Sequence, residues 1–375
     1  MDLHEYRDQL DQIDRQLVEL FEQRMKVSGD VAEYKINTGK AVYDGERERQ
    51  KLDTLGGMAH GTFNQVAVRE LFSQMMTISR RYQYRLLAEH GQVDRFAFEP
   101  VESLPVQGAR VVYQGAEGSY GHAATLQYFG EEVAAYHVRL FEDAMREVQE
   151  GRADYAVLPI ENSSAGAVTD NYDLLICYQN YIVADIFTPV NHALLARPEA
   201  EMSDIRTVYA HPQALMQCSR FLNEQTDWKQ ISLENNAIAA RKVGVEADKS
   251  QAAVASEIAG ELYGLKVLKA LIQNNQGNTT RFIILSNRAI YRKDAGKLSL
   301  SFELPHKSGT LYNILGNFIF NGVSMRKIES RPIPGRNWEY RFFIDIEGNL
   351  EDAGIRNALK GIEAEAKNMR ILGNY

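Results

Sequence analysis

Charged and polar residues near the start of the chain stand at spacings that place them on common helix faces. Arg24 and Lys35 lie eleven residues apart, so on a helix their side chains point within ~20° of one another, beside an apolar stripe. Arg7 is turned ~100° away on the same helix, where it could serve the site of a second copy of the chain. On the next helix, Asp44, Arg47 and Glu48 share one face. On the last helix, Ser79 and Gln83 share another. Cations beside a buried stripe need a partner, so the set predicts a site that acts on a small anion by charge rather than through a nucleophile.

Three polar clusters follow or begin β-like runs further along the chain. A glycine-rich turn at 113–121 lets backbone amides approach an anion ahead of a helix, although it lacks G-x-G-x-x-G spacing and no P-loop appears. A strand at 155–160 runs into polar residues and Gly166, and a later strand begins at the polar run 278–282. Together the clusters predict a polar cradle for an anion.

A third candidate site lies near the C-terminus. The turn 304–311 presents backbone amides at the start of a helix, which suits the carboxylate of a ligand. A later strand carries Glu329-Ser330-Arg331-Pro332. The pattern predicts that this part of the chain binds a small carboxylate.

The elements that position the first set are predicted to be all-helical, over residues 1–90. Apolar residues recur at three- and four-residue steps, and no proline occurs before Pro100. The first helix is expected from Leu3 to Asn37, where Thr38-Gly39 supplies a stop. Such a helix would be about 50 Å long and cannot bury its stripe inside one small domain, so an intertwined helical dimer is expected. Proline and polar residues then predict a linker at 91–108.

Two further domains have different patterns. Residues 109–287 alternate β-rich runs with helical windows, which is typical of an α/β domain and fits two lobes around a cleft. Residues 297–375 read βαββαβ, the ferredoxin-like α+β order, and the predicted strands include 297–304 and 340–347. The predicted fold class is therefore multidomain: all-helical, then α/β, then α+β. The β-rich runs of the middle domain are 110–114, 155–160, 181–187, 207–210, 251–256 and 281–286.

Composition narrows the function classes. The chain has 375 residues, 45% hydrophobic and 25% charged, which is typical of a globular protein of two or three domains. Its formal charge of -8 argues against nucleic-acid binding, which needs a cationic face. The N-terminus is acidic and amphipathic, unlike a secretory segment, and no apolar run reaches the ~20 residues that span a bilayer. Two cysteines without zinc-type spacing fit a reducing cytoplasm.

The helical residues resemble the complete active-site set of the all-helical chorismate mutases, with matching spacing over about ninety residues. That reaction is pericyclic and needs no nucleophile, metal or cofactor. The enzyme holds a dicarboxylate in a compact conformer and favours charge separation in the breaking ether bond. The resemblance implies these roles: Arg24 and the partner subunit's Arg7 for the carboxylates, Lys35 and Gln83 for the ether oxygen, Glu48 for the substrate hydroxyl, and Asp44, Arg47 and Ser79 as orienting groups.

The α/β segment resembles the prephenate dehydratase domain throughout. Its matching motifs are Gly118-Ser119-Tyr120, Pro159-Ile160-Glu161-Asn162-Ser163 with Gly166, His211-Pro212-Gln213 with Gln217-Cys218, and Thr280-Arg281-Phe282. Ala210 departs from the pattern, since the family often has a serine before His-Pro.

The implied reaction expels hydroxide and carbon dioxide from prephenate together. The barrier lies in the poor leaving group, so the protein must supply a hydrogen-bond donor or acid. The resemblance gives that role to Thr280, with Arg281 as a candidate carboxylate anchor. His211 fits either an acid or a turn residue ahead of Pro212. The other residues implied in substrate binding are Ser119, Glu161, Asn162, Ser163 and Gln217.

The last segment resembles the ACT domain, an amino-acid-binding domain attached to prephenate dehydratases. Glu-Ser-Arg-Pro is intact, whereas the usual Gly-Ala-Leu appears as Gly309-Thr310-Leu311. The resemblance implies regulation by L-phenylalanine, with feedback inhibition of the dehydratase. The alternative is a ferredoxin-like domain used only for dimerisation. The expected effector-binding residues are Ser308, Gly309, Thr310, Leu311, Glu329, Ser330 and Arg331.

Nearly the whole chain thus resembles the bifunctional chorismate mutase–prephenate dehydratases of phenylalanine biosynthesis, an isomerase and a lyase in one homodimer or higher oligomer. No cofactor, metal, nucleic acid or membrane is expected. Three alternatives stay open: a dehydratase that prefers arogenate, a catalytically dead sensor or scaffold, and a periplasmic-type ligand-binding protein. The intact polar sets argue against the second, and the missing signal segment against the third. Dimer versus tetramer, transfer of product between sites and the strength of inhibition are not encoded in any motif.

Overall fold

The computed structural model describes residues 2–90, 96–307 and 309–375. Ser308 of the predicted effector site and residues 91–95 of the predicted linker lie outside the described residues. The helices are α1 (Leu3–Thr38), α2 (Gly45–Met58), α3 (Thr62–Glu89), α4 (Tyr120–Phe129), α5 (Phe141–Gln149), α6 (Thr169–Cys177), α7 (Pro212–Gln217), α8 (Ser219–Asn223), α9 (Asn236–Glu246), α10 (Glu257–Leu262), α11 (Thr310–Phe320) and α12 (Ala353–Glu365). The strands are β1 (Glu99–Val101), β2 (Arg110–Gln114), β3 (Ala134–Val138), β4 (Tyr155–Asn162), β5 (Gly166–Ala167), β6 (Tyr181–Pro189), β7 (Ala193–Ala196), β8 (Thr207–Ala210), β9 (Lys229–Ser232), β10 (Gln251–Ala255), β11 (Lys266–Lys269), β12 (Thr279–Ser286), β13 (Ile290–Arg292), β14 (Lys297–Leu304), β15 (Met325–Pro332), β16 (Tyr340–Glu347) and β17 (Lys367–Asn374).

The chain divides into two compact units. The first unit joins Met1–Ala97 to Gly296–Ile371, and the second joins Phe98–Ala295 to Leu372–Tyr375. The first unit therefore contains both the N-terminal helices and most of the C-terminal βαββαβ segment.

Local signals define the ends of the N-terminal helices. Asp2 and Glu5 form a capping box at the start of α1, and Gly39 ends the helix in the left-handed region with φ of 68°. The predicted stop at Thr38-Gly39 is confirmed. Asp44 caps α2, because its carboxylate accepts from the backbone N–H of Arg47 at 3.1 Å.

The first half of α1 leaves its apolar stripe uncovered within the chain. Residues 2–20 are all exposed, and Leu10 and Leu17 each keep more than half of their accessible surface. Burial begins further along, at Ser28 and Ala32, where α3 packs against the helix. The helix is too long for one chain to cover, as predicted; the intertwined dimer that would cover it stays a prediction.

The C-terminal segment of the first unit has the predicted element order, βαββαβ. Strand β16 pairs antiparallel with β14 along its full length and with β15 on its other edge. Strands β14 and β16 match their predicted ranges to the residue. Helices α11 and α12 pack on one another, and both contact α3 of the same unit.

The second unit contains two larger sheets beside the two-stranded sheet of β1 and β13. One has the order β6-β12-β4-β2-β3, in which β2 runs parallel to β3 and β4 while β12 is antiparallel to β4 and β6. The other has the order β11-β7-β10-β8-β9. The chain crosses between the sheets twice, through residues 190–192 and 270–278. The crossings are joined by hydrogen bonds from Val190 N to Asn278 O at 2.8 Å and from Ile272 N to His192 O at 2.9 Å.

Part of the predicted linker belongs to this unit. Residues 99–101 form β1, which pairs parallel with β13, and Leu104 is buried in the same core cluster as Val111. The prolines and polar residues of this stretch hid its apolar positions. Among the described residues, the structure contains no helix that is both long and apolar enough to cross a bilayer.

Candidate active sites

The three N-terminal helices enclose a cavity of about 940 Å³. Arg7 does not line it; this residue lies on the exposed first half of α1. The cavity brings together all the other predicted residues of the helical site: Arg24, Lys35, Asp44, Arg47, Glu48, Ser79 and Gln83.

Arg24 reaches from α1 to α3 across this cavity. Its Nη1 donates to the carbonyl oxygen of Met75 at 3.1 Å and to the hydroxyl of Ser79. The Ser79 hydroxyl in turn donates to the same Met75 carbonyl at 2.8 Å. Burial lowers the pKa of Arg24, and the negative charge of Glu48 opposes that shift. The guanidinium stays protonated at neutral pH and is held in place by neutral partners, so its charge is available to an anion.

Lys35 and Gln83 form a second pair of donors. Lys35 Nζ donates to Val42 O at 2.8 Å and to Gln83 Oε1 at 3.2 Å. Because Oε1 accepts from the ammonium, the Gln83 side chain keeps its NH₂ group as a donor beside it. Burial lowers the pKa of Lys35, while the charges of Asp44 and Glu48 raise it.

Arg80 also lines this cavity and was missed by the sequence analysis. Its Nη1 donates to Glu48 Oε2 at 2.5 Å, and its side chain is almost fully buried. The signal available was a pair of arginines, Arg80-Arg81, directly after Ser79 in a predicted helix. A buried arginine requires anions nearby, but the sequence does not say which ones.

A second cavity, of about 510 Å³, lies between the two larger sheets of the second unit. Four predicted residues line it: Ser119, Asn162, Gln217 and Thr280. They come from α4, β4, α7 and β12, so the cavity draws on elements from both sides. Glu161, Ser163 and Arg281 are absent from its lining.

Thr280 and Asn162 face one another at the end of neighbouring strands. Asn162 Oδ1 accepts from the backbone N–H groups of Ser164 at 3.0 Å and Ala165 at 2.9 Å. These obligatory donors fix the amide, so its NH₂ faces Thr280 and donates to Oγ1 at 2.9 Å. The hydroxyl oxygen of Thr280 is thus an acceptor toward Asn162, and its own proton is directed elsewhere.

The prediction that Arg281 anchors a carboxylate in this cavity does not agree with its position. Neighbouring residues of a strand point to opposite faces, so Arg281 points away from the side that carries Thr280 and Phe282. Its guanidinium donates to Asp185 Oδ2 at 2.9 Å and to the Tyr375 hydroxyl at 2.7 Å. Glu161, in register with Arg281, lies on that same opposite face.

Ser163 also serves the strands rather than the cavity. Its hydroxyl accepts from the backbone N–H of Thr279 at 3.0 Å and donates to Gly277 O at 3.3 Å. These bonds tie the end of β4 to the start of β12, next to Thr280. Ser163 therefore stabilises the backbone from which the cavity-lining residues project.

No lysine or arginine lines this cavity within the described parts of the chain. Two helices begin at its wall, and backbone N–H groups and the helix dipole attract anions at such positions, while Glu234 adds a carboxylate to the lining. The starts of α4 and α9 both line it, at Ser119 and Asn235. Each of these side chains caps its own helix, Ser119 through His122 N at 3.3 Å and Asn235 through Ala237 N at 2.7 Å.

His192 is a further lining residue that the sequence analysis missed. It sits buried on a crossing segment, with Nδ1 3.1 Å from the Tyr120 hydroxyl and Nε2 3.0 Å from Gln217 Oε1. Burial lowers the pKa of His192, so the ring is neutral at neutral pH. The ring therefore connects Tyr120 of α4 to Gln217 of α7 beside the cavity, while the Tyr120 hydroxyl donates to the carbonyl oxygen of Asn191 at 2.6 Å.

His211 lines the same cavity as the cap of α7. Its ring Nδ1 accepts from the backbone N–H of Gln213 at 3.2 Å, and burial lowers its pKa. Of the two alternatives for His211, an acid or a turn residue, these contacts favour the turn residue. The imidazole is neutral, and its Nδ1 is already engaged in capping the helix.

The predicted effector residues occupy one end of the C-terminal sheet. Gly309 is the N-cap of α11 with φ of 81°, and Thr310 Oγ1 donates to Lys307 O at 3.0 Å. Leu304, where the turn begins, pairs with Tyr340 of β16. Tyr340 pairs on its other side with Pro332 of β15. Glu329, Ser330 and Arg331 therefore lie toward the same end as the turn that contains Gly309, Thr310 and Leu311, with β16 between them.

Both segments match known family models. Residues 6–84 match chorismate mutase type II, and residues 111–290 match prephenate dehydratase. The sequence is 34% identical to the bifunctional chorismate mutase/prephenate dehydratase of Escherichia coli (strain K12), over 98% of this chain and 95% of that protein. The chain belongs to the bifunctional chorismate mutase/prephenate dehydratases, and it has both enzymatic activities.

Solved structures agree with the fold of the dehydratase part. The prephenate dehydratase of Arthrobacter aurescens in complex with L-Phe is 31% identical, with a TM-score of 0.65, over 71% of this chain and 89% of that one. A structure described as a quorum-quenching acylase, GqqA, has the same identity and TM-score over 70% of this chain and 96% of its own.

Proposed function

We propose that the residues lining the helical cavity carry the mutase reaction in the roles that the resemblance implies. Arg24 and the partner subunit's Arg7 hold the two carboxylates of chorismate. Lys35 and Gln83 donate to the ether oxygen as its bond breaks, where negative charge develops. The paired donors at 3.2 Å are the observation that carries this assignment, because Lys35 fixes which end of the Gln83 amide is free to donate. Glu48 accepts from the substrate hydroxyl, and three residues orient the substrate: Asp44, Arg47 and Ser79.

The mutase site is shared between two subunits in this proposal. The uncovered stripe along residues 2–20 of α1 supports it, since an apolar helix face of that length needs a partner surface. The test is to co-express Arg7→Ala and Arg24→Ala chains, each inactive alone as a mutase. Mixed dimers would contain one site with both arginines intact and regain activity. If the mixture stays as inactive as its parents, Arg7 does not act across subunits.

In the dehydratase cavity, Thr280 donates a hydrogen bond from its hydroxyl to the departing hydroxyl of prephenate and keeps its own proton. Asn162 supports this role, since it donates to Thr280 Oγ1 at 2.9 Å and so directs the hydroxyl proton away from itself. Loss of carbon dioxide leaves its electron pair on the ring, which becomes aromatic as hydroxide leaves. The N-termini of α4 and α9 hold the carboxylates, with Ser119 at one of them, and Gln217 orients the substrate.

Three predicted residues keep a supporting function in this proposal. Ser163 joins the end of β4 to the start of β12, Arg281 joins β12 to Asp185 of β6, and Glu161 pairs in register with Arg281 on the face away from the cavity. The pairing of Arg281 with Asp185 and Tyr375 supports a role in attaching the last residues of the chain to this unit.

We further infer that the C-terminal βαββαβ segment is an ACT regulatory domain that binds L-phenylalanine and inhibits the dehydratase. Its element order and the L-Phe complex of a 31% identical prephenate dehydratase support this inference. The division into domains 1–90, 109–287 and 297–375, with a linker at 91–108, stays a prediction; the family matches to residues 6–84 and 111–290 support its first two domains. A cytoplasmic location is supported by the two free cysteines, Cys177 and Cys218.

The effector site is tested with a matched pair of charge reversals on β15. Arg331→Glu should relieve inhibition of the dehydratase by phenylalanine, whereas Arg326→Glu, which breaks a surface pair with Glu347, should leave it intact. Equal inhibition of both variants would remove Arg331 from the effector site.

The whole assignment is tested by giving purified protein chorismate alone. Phenylpyruvate should appear, and its rate should fall when phenylalanine is added. Accumulation of prephenate with no further product would instead call for the same assay with arogenate, which the dehydratase cavity would then prefer.

A further inference from the structure

Arg80 of α3 joins two carboxylates that come from distant parts of the chain. Its Nη1 donates to Glu48 Oε2 at 2.5 Å, and its Nη2 donates to Glu365 Oε1 at 2.9 Å. Glu48 belongs to α2 and lines the mutase cavity, whereas Glu365 is the last residue of α12 in the C-terminal segment. All three residues lie within the first unit.

This ion pair network is largely buried. The side chain of Arg80 is 8% exposed, that of Glu365 15%, and that of Glu48 25%. Burial lowers the pKa of Arg80, but Glu365 and Glu48 together outweigh it and the pKa is raised. A buried guanidinium with two carboxylates resists rearrangement, because removing either partner leaves a charge uncompensated.

Hydrogen bonds on the side away from the cavity fix the orientation of the Arg80 guanidinium. Nη2 donates to both Glu365 and Thr77 Oγ1, the latter at 3.1 Å, while Nη1 is directed at Glu48. The planar guanidinium has its donors at fixed angles, so anchoring one nitrogen determines where the other points. The Tyr43 ring lies 5.1 Å from the guanidinium carbon and adds a further contact.

We propose that Arg80 is a positioning residue of the mutase site, and that Glu365 from the C-terminal segment completes this site from outside the three helices. Arg80 holds one oxygen of Glu48 and thereby orients the carboxylate that receives the substrate hydroxyl. Glu365 holds Arg80. The inference rests on the role proposed above for Glu48.

The packing around this network agrees with a fixed connection between α3 and the C-terminal segment. The neighbouring Arg81 donates to Asn313 O at 3.1 Å and to Asn317 Oδ1 at 3.3 Å, both on α11. Arg81 thus attaches helix α3 to α11, and Arg80 attaches it to α12. A displacement of α12 would move Glu365 and, through Arg80, the carboxylate of Glu48.

The first test compares two glutamates of α12 in the full-length enzyme. Glu365→Gln should lower mutase kcat/KM by about tenfold, the effect of weakening one charged hydrogen bond. Glu363→Gln removes the same charge from an exposed position of the same helix, where the carboxylate pairs with Lys360, and should change neither activity. Dehydratase activity should be unchanged in both variants. Equal mutase activity in the two variants would overturn the proposal.

The second test asks whether Arg80 acts through Glu48. Arg80→Met should lower mutase kcat/KM in the otherwise normal chain but cost little more when Glu48→Gln is already present. If the double variant instead shows the product of the two single losses of kcat/KM, Arg80 acts in another way. That result would overturn the inference while leaving the role of Glu48 intact. A Glu48→Gln enzyme with normal mutase activity would instead overturn the role of Glu48 and this inference with it.

A conservative variant separates positioning from general destabilisation. Glu365→Asp keeps the negative charge and should retain more mutase activity than Glu365→Gln, even where thermal unfolding shows the two to be equally stable. If the two variants lose the same activity, the charge of Glu365 does not position Arg80.

Discussion

The two cavities that we propose as the active sites of this chain offer different groups to their related dicarboxylate substrates. In the mutase cavity, charged side chains such as Arg24, Lys35 and Arg47 line the wall. In the dehydratase cavity, the described part of the chain contributes no lysine or arginine, and the starts of α4 and α9 line the wall instead. Prephenate is the product of the mutase reaction and the substrate of the dehydratase reaction.

The difference follows from what each reaction requires. The mutase stabilises charge separation within one bound molecule, so fixed cations near the ether oxygen and the carboxylates lower its barrier directly. The dehydratase has to let carbon dioxide leave, and a strong ion pair to the departing carboxylate would favour the ground state over the transition state. The backbone N–H groups that we propose for this role would bind that carboxylate more weakly, which suits a reaction that destroys it.

The largest expected effect is on the dehydratase. Thr280→Ala removes the donor for the departing hydroxyl and should lower dehydratase activity by roughly 10²–10³-fold, the usual loss when a transition-state donor is deleted. Mutase activity should be unchanged, because Thr280 lies in the second unit. The measurement is the rate of phenylpyruvate formation from prephenate beside the rate of chorismate loss. A parallel fall in both rates would mean that the two sites are not independent.

A smaller loss is expected from Arg24→Lys in the mutase. A lysine keeps the charge but cannot form the two parallel hydrogen bonds that an arginine offers a carboxylate, so kcat/KM should fall more than about tenfold. Dehydratase activity in the same protein is the control. Near-normal mutase turnover would remove Arg24 from the site.

The smallest effect is a shift in pH dependence. Burial lowers the pKa of Lys35, so it loses its proton at a lower pH than an ordinary lysine. Since only the protonated form donates fully to the ether oxygen, mutase kcat/KM should decline on the alkaline side before an ordinary lysine would titrate. In Lys35→Arg the remaining activity should persist to higher pH, because a guanidinium does not deprotonate in this range. An unchanged alkaline limb in that variant would assign it to another group.

Sequence patterns predicted the elements of this chain well where the pattern was long or was bounded by clear stop residues. The first helix ends where Gly39 adopts a left-handed conformation, and strands β2, β8, β14 and β16 match their predicted ranges. The missed strands, such as β7 and β9, have only four residues and too little alternation to be told from loop. Strand β1 was missed because it lies among prolines. Its pairing with β13 also depends on tertiary contact, which the local sequence does not show.

The candidate sites divide in the same way. Helical spacing grouped Arg24 with Lys35, Asp44 with Arg47 and Glu48, and Ser79 with Gln83, because residues on one helix face stay together whatever the tertiary structure. That the three faces meet in one cavity was implied by the family resemblance and not by spacing. The strand residue Arg281 was wrongly placed in the dehydratase cavity, since alternation turns it away from Thr280. His192 and Arg80 were missed because their importance depends on partners far away in sequence: Tyr120 and Gln217 for one, Glu48 and Glu365 for the other.

The contrast between a cationic and a cation-free cavity is tested most directly by salt. The KM for chorismate and the KM for prephenate are measured on one enzyme sample between about 0.01 M and 1 M ionic strength, where the Debye length falls from about 30 Å to about 3 Å. Screening weakens attraction between formal charges, so the chorismate KM should rise several-fold, while the prephenate KM should change less than about twofold. Parallel rises in the two KM values would contradict the account, because both cavities would then attract their substrates through formal charge.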